Sequence, residues 1–279
     1  MLELVRFAAD DGVDLDSLLF RPAQPTRRLL MLIPGLSGPV LGARHDYRPL
    51  AERLEQQGIA LFLINMRSAN TFWCSRFEDC ASDIAGALRH AKGLGFDQIA
   101  LFGTSLGGPR VAYTLSQIEE PAVRLAGFLA SIKSPYLEAQ LRMDPQTRER
   151  LDAFLQHCRD LVAAGRGHEG VTFLDWFPNR PMTMMARSFI SYFGTLEESN
   201  ASTIKFGAHV KVPTLVIHGT ADEIALGENA QAIYDSLTAA PHKDLIWVEG
   251  AVHYLRSGWI AETYAQRIAE WVGRHMPPH

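Results

Sequence analysis

Ser105 stands in Gly103-Thr104-Ser105-Leu106-Gly107-Gly108, directly after the apolar run Gln98-Ile99-Ala100-Leu101-Phe102. A buried strand that ends at Gly103, followed almost at once by a helix, leaves the serine on a sharp turn. On such a turn the backbone is strained and the hydroxyl projects outward. Gly103 and Gly107 suit it because side chains there collide with the strand and helix backbones. The chemistry on offer is nucleophilic attack. A glycine-rich turn that merely joins two elements has the same residues, so Ser105 needs partners.

An aliphatic hydroxyl is a poor nucleophile without a neighbouring base, and the base needs an orienting carboxylate. Asp222 lies in Ile217-His218-Gly219-Thr220-Ala221-Asp222, and His253 in Glu249-Gly250-Ala251-Val252-His253. Each falls a few residues beyond the end of an expected strand. Asp222 has a rival in Glu223 beside it, and Asp is also a common cap of turns and helices. The chain has 10 histidines, so His253 is singled out by position and not by type. His218 is the nearest rival, but it sits inside the strand end and is expected to pack or to bond the adjacent backbone.

The elements that must carry these residues alternate. Short strands at 2–8 and 15–21 flank Asp11-Gly12, a hairpin signal. The run 28–33 ends at Pro34-Gly35, and its unbroken apolarity fits a strand covered on both faces. A helix over 46–57 closes at Gly58, a strand covers 59–64, and a helix over 78–92 closes at Gly93. Strand 99–102 and helix 106–117 bracket Ser105, and strand 125–130 follows. The alternation resumes with strand 212–218, helix 229–237, strand 245–248 and helix 259–272. This is the pattern of an open, mostly parallel α/β sheet, whose sites gather at the carboxyl ends of its strands. Ser105, Asp222 and His253 all belong to that rim.

Between residues 131 and 209 the rhythm breaks, with apolar helical stretches and no clear strand. The segment is rich in Met and aromatic residues, among them Trp176, Met184, Met185 and Phe189. Most are expected to pack the segment; these four are candidates to line an apolar pocket.

Taken together, Gly103-Thr-Ser-Leu-Gly-Gly108, Ile217-His-Gly-Thr-Ala-Asp222 and Gly250-Ala-Val-His253 make the chain resemble the α/β-hydrolase superfamily over nearly its whole length. The order Ser105, Asp222, His253 agrees with that fold. The resemblance implies an eight-stranded, mostly parallel sheet with antiparallel first strands and a helical lid after the sixth. The core would be 1–130 with 210–279, and the lid 131–209. It implies a catalytic triad of Ser105, Asp222 and His253. The oxyanion hole would be formed by the amides of Leu106 and, in the loop Pro34-Gly35-Leu36-Ser37-Gly38, Leu36. Pro34 replaces the histidine that usually precedes this donor in the family. Arg67 resembles a residue that braces the loop after the fourth strand. The implied reaction is hydrolysis of a carboxylic ester of a small or medium apolar acyl substrate, without cofactor or metal. A thioesterase, lactonase, amidase or C–C bond hydrolase would use the same residues, as would a non-catalytic receptor that keeps the fold. Halide-removing and epoxide-opening relatives carry Asp where this chain has Ser105.

Composition sets the outer bounds. At 279 residues, 47% hydrophobic and with a net charge of -4, the chain suits one large α/β domain with an insertion. The charge gives no reason to expect nucleic acid or an anionic membrane surface as a partner. No apolar run approaches the roughly 20 residues of a membrane span, and the first residues lack a signal-peptide layout. Three cysteines, Cys74, Cys80 and Cys158, show no metal-ligand spacing, so a reduced cytoplasmic setting is expected. The apolar insertion leaves a homodimer open.

Overall fold

A computed structural model describes residues 1–36, 47–176, 180–253 and 258–278. Ser37 and Gly38 of the expected oxyanion loop, Asp46 at the head of the first expected helix, and Phe177 lie outside the described residues. The amino-terminal part runs β1 (Leu2–Ala8), β2 (Asp14–Phe20), β3 (Arg28–Ile33), α1 (Arg48–Gln56), β4 (Ala60–Leu63), α2 (Ser68–Thr71) and α3 (Asp79–Gly93). Next come β5 (Gln98–Thr104), α4 (Gly107–Gln117) and β6 (Val123–Leu129). The insertion holds α5 (Pro135–Arg142), α6 (Pro145–Ala163), β7 (Gly170–Trp176), β8 (Arg180–Met185), α7 (Ala186–Phe193) and α8 (Thr203–Phe206). The chain finishes with β9 (Thr214–Gly219), α9 (Glu228–Ser236), β10 (Lys243–Val248) and α10 (Gly258–His275).

Eight strands form one sheet in the order β1-β2-β4-β3-β5-β6-β9-β10. The β1/β2 and β2/β4 pairs are antiparallel, and all pairs from β4 to β10 are parallel. The fold is that of an α/β hydrolase. Alternation along β3 explains the layers. Leu29, Met31 and Ile33 join the core under α3 and α4, whereas Leu30 and Leu32 join the one under α1 and α10. A strand buried on both faces must be apolar throughout, which is why 28–33 reads as an unbroken run.

Register then aligns the rim. Ile33 pairs with Gly103, Thr104 with Leu129, Leu129 with Ile217, and Val248 with Gly219. The loops that follow β3, β5, β9 and β10 therefore leave the sheet side by side.

The insertion differs from the helical expectation, because β7 and β8 form an antiparallel hairpin with Val171 opposite Met184 and Phe173 opposite Met182. Along β7, Val171, Phe173 and Trp176 are buried while Thr172 and Leu174 are exposed. This period of two is masked in the sequence by the surrounding Met and aromatic residues, which suit a helix face equally well.

Candidate functional site

Ser105 sits between β5 and α4 with φ of 52°. A non-glycine residue held in the left-handed region carries strain of about 1–3 kcal/mol, which the surroundings must offset. They do so with bonds and close packing. The Ser105 N–H donates to the Leu129 carbonyl at 3.0 Å, and the Ser131 hydroxyl donates to the Ser105 carbonyl at 3.1 Å. A β-carbon on Gly103 would collide with the Gly107 carbonyl, and one on Gly107 with the Ile33 carbonyl. Those two glycines let α4 press against β5 and β3. A β-carbon on Gly35 would lie 3.1 Å from Ser105 Cβ, so the loop after β3 runs alongside the serine.

Asp222 and His253 are brought in by two interlocked loops. The Thr220 N–H donates to the Val248 carbonyl at 3.0 Å and the Ala221 N–H to the Ala251 carbonyl at 3.1 Å. A side chain at Gly219 would strike Ala251. Asp222 Oδ1 accepts the Ile224 and Ala225 N–H groups at 2.9 and 2.7 Å, which fixes the carboxylate in a turn of its own. His253 Nδ1 lies 2.9 Å from Asp222 Oδ2 and 3.1 Å from Oδ1, and its Nε2 lies 3.0 Å from Ser105 Oγ. With Nδ1–H donating to the carboxylate, Nε2 keeps its lone pair for the serine proton. Both side chains are almost wholly screened from water, at 5% exposed for His253 and 0% for Asp222. Glu223, the rival, instead accepts the His253 backbone N–H at 3.4 Å.

His218 is fully buried, and its Nε2–H donates to the Ala225 carbonyl at 2.6 Å. Burial holds its imidazole below the usual histidine range, hence neutral. It thus bonds adjacent backbone, as expected from its place in the strand.

Leu106 is buried at the head of α4, where the first helical N–H groups have no intrahelical partner. Leu36 is half-buried in the turn after Pro34-Gly35. What the sequence reading missed is Arg110. The residue is 1% exposed, and its guanidinium donates to the carbonyls of Pro34 at 2.9 Å, Gly35 at 2.9 Å and Leu36 at 3.3 Å, and to Ser68 Oγ at 2.8 Å. A signal existed. Gly107, Arg110, Val111 and Thr114 follow helical spacing on the inward face of α4, so Arg110 is directed inward. Arg67 braces its loop, with bonds to Asp83 and a bidentate pair to Asp11.

The insertion docks beside this site. Arg142 donates to the Ile224 carbonyl at 2.5 Å, and Glu138 accepts from Asn229, so α5 holds the turn that carries Asp222. On α7, Ser191 Oγ accepts the Phe77 N–H at 2.8 Å and donates to Glu78 at 2.7 Å. Trp176, Met184 and Phe189 are buried, and Trp176 and Phe189 pack with Phe173 and Phe193 in one aromatic cluster. Met185 is half-buried, and its N–H donates to the Trp73 carbonyl at 2.7 Å.

Among the described residues, one group has the spacing to hold a metal ion: His242, Asp244 and His275. It lies where β10 begins, at the opposite rim from Ser105. Asp244 there already accepts from Trp271 at 2.7 Å and contacts His242 at 2.8 Å. Burial pushes the Cys80 thiol well up and that of Cys158 to about 11, so neither is a thiolate at neutral pH. No described helix is long and apolar enough to cross a membrane.

The profile of one family, Hydrolase_4 (serine aminopeptidase, S33), matches residues 24–257. Among solved structures, the esterase domain of a Rhodothermus marinus protein has 17% identity and a TM-score of 0.64, covering 98% of each chain. A monoacylglycerol lipase of Paleococcus ferrophilus has 20% identity and a TM-score of 0.67, covering 94% of this chain and 100% of its own. The α/β hydrolase GrgF from Penicillium sp. sh18 has 17% identity and a TM-score of 0.71, covering 99% of each. No curated protein sequence matches the chain.

Proposed function

The chain belongs to the serine aminopeptidase S33 family of α/β hydrolases, and from that premise we propose that it cleaves a carboxylic ester of a small or medium apolar acyl group through a covalent acyl-enzyme. The observation that carries the reading is the continuous relay from Ser105 Oγ through His253 to Asp222, with spacings of 3.0 and 2.9 Å. His253 Nε2 takes the Ser105 proton as Oγ attacks the carbonyl carbon. It returns that proton to the leaving alcohol, then takes one from the attacking water and hands it to Ser105 Oγ as the acyl bond breaks and the acid leaves. Asp222 holds the ring in the required tautomer and stabilises the imidazolium. The N–H groups of Leu106 and Leu36 bind the oxygen that becomes negative in the tetrahedral intermediate. The insertion acts as a lid. Its candidate pocket residues are Trp176, Met184, Met185 and Phe189, of which Met185 is half-buried and the other three are buried.

Incubation with a fluorophosphonate probe, followed by peptide mapping, tests the nucleophile. The adduct is expected on Ser105 alone, and Ser105→Ala is expected to lose at least about 10⁴-fold in kcat. A label on another residue, or hydrolysis retained by Ser105→Ala, refutes the reading. A panel of p-nitrophenyl esters, acyl thioesters, lactones and amino-acid anilides then ranks the acyl groups by kcat/KM, with the short and medium esters expected first.

A further inference from the structure

We infer that Arg110 is a positioning residue of the oxyanion hole: its guanidinium locks the peptide planes of the segment Pro34 to Leu36, so that the N–H of Leu36 stays turned toward the substrate oxygen. The inference rests on the reading of Ser105 as nucleophile and Leu36 as donor.

In a trans peptide the C=O and the N–H of the same unit point in opposite directions. Arg110 captures three successive carbonyls of this segment, at 2.9, 2.9 and 3.3 Å. Capturing the Gly35 carbonyl therefore aims the N–H of Leu36 away from the guanidinium. The same segment runs alongside the serine, since a β-carbon on Gly35 would lie 3.1 Å from Ser105 Cβ and 3.6 Å from its Oγ. A rigid planar fork suits this task. Two nitrogens of one side chain reach four acceptors at once, which a lysine ammonium on a flexible stem cannot do in the same geometry.

The burial is informative as well. Arg110 is among the largest fully buried side chains, and among the described residues no carboxylate pairs with it at ion-pair distance. Asp83 is felt only as a nearby charge. A cation held by neutral carbonyls pays a desolvation penalty that an apolar side chain of similar volume would avoid. What the cation gains in return is the orientation of three carbonyl dipoles. Arg110 also shares α4 with the elbow, so the two halves of the hole are fixed by one rigid element: Leu106 at its head, and the loop through Arg110 one turn on.

The test uses the full-length protein with Arg110→Lys, Arg110→Met and Ser68→Ala, each counted by fluorophosphonate titration of active serines. Three quantities are read: kcat and KM on a p-nitrophenyl ester, the affinity for a trifluoromethyl ketone, and the melting temperature. The ketone forms a tetrahedral adduct with the serine whose oxyanion needs the same donors. Arg110→Met is expected to lose about 10²-fold in kcat per active serine with KM within about twofold, and a matching factor in ketone affinity. Arg110→Lys should lose about tenfold and Ser68→Ala a few-fold in the same two quantities, and they carry the test if Arg110→Met fails to fold. Variants that melt lower yet keep wild-type kcat and ketone affinity overturn the proposal, since Arg110 would then be structural only. Ser105→Ala serves as the control. If it still hydrolyses ester, the proposed function fails first; if it is inactive while the Arg110 variants stay fully active, only this inference fails.

Discussion

His218 and Asp222 meet inside the protein, the imidazole Nε2 lying 3.5 Å from the carboxylate Oδ2 and 2.6 Å from the Ala225 carbonyl. The Ala225 N–H is in turn one of the two backbone donors to Asp222. His218 therefore closes the turn that presents the carboxylate. His218→Leu orphans a buried carbonyl, at about 1–3 kcal/mol. It should lower the melting temperature and reduce kcat several-fold with KM unchanged. His218→Gln, whose amide N–H reaches the same carbonyl, should lose less of both. Equal losses in the two variants would show that the bond to Ala225 is irrelevant.

Asp222 and Glu223 are neighbours with different duties. Asp222→Asn removes the charge facing His253 Nδ1 and favours the wrong tautomer, so kcat should fall by roughly 10³–10⁴-fold. Glu223→Gln disturbs a 3.4 Å contact to a backbone N–H. Its kcat should stay within about threefold of wild type. A reversed ranking in steady-state assays would make Glu223 the orienting acid.

Two glycine-to-alanine changes should have opposite signs. At Gly103 the new methyl strikes the Gly107 backbone, and the elbow cannot close without moving α4. Loss of more than about 3 kcal/mol, or failure to fold, is expected. At Gly93, the last residue of α3, no atom lies within reach of a β-carbon. There alanine should stabilise by about 0.5–1 kcal/mol through its better helix propensity. Denaturant melts of the two variants decide the point.

Within the insertion, Glu198 ties the segment after α7 to α6. It accepts Arg159 Nε at 2.5 Å and Nη2 at 3.0 Å, together with the Thr195 N–H and hydroxyl. The hydrogen bonds from Arg159 hold its carboxyl at about 2, well below the ordinary glutamate range. A depressed folded-state value means stabilisation that is full above about 4.5 and is lost as pH falls toward 2. The side chain is 24% exposed. Allowing for screening by water, the contribution is about 1–2 kcal/mol at neutral pH. Melting curves of wild type and Glu198→Gln should differ near neutrality and converge as pH approaches about 2.5. A constant gap across that window would exclude the linkage.

How much of this was legible in the sequence depends on the range of the interaction. Strand β1 coincides with the expected 2–8 and β3 with 28–33, because apolar runs and their breakers are local. The rim residues Ser105, Asp222 and His253 were legible because a parallel sheet sends the loops after its strands to one side. Arg110 was not read, since a charged side chain ordinarily faces water and its acceptors lie some 75 residues away along the chain. The β7/β8 hairpin was missed for a related reason. Its alternation is short, and the Met and aromatic residues around it satisfy a helical period as well. The partners of Trp176 and Phe189 were illegible because packing within a segment depends on the tertiary contacts of each ring.

The insertion leaves the sheet after β6 and returns at β9, two strands that are themselves paired neighbours. Closing a loop costs only about 0.6 kcal/mol more for each doubling of its length. Beyond α5, which holds the turn that carries Asp222, the framework that aligns the proton relay is therefore nearly indifferent to what the excursion contains. Such a layout lets selectivity drift by rebuilding one detour while the reactive machinery stays untouched.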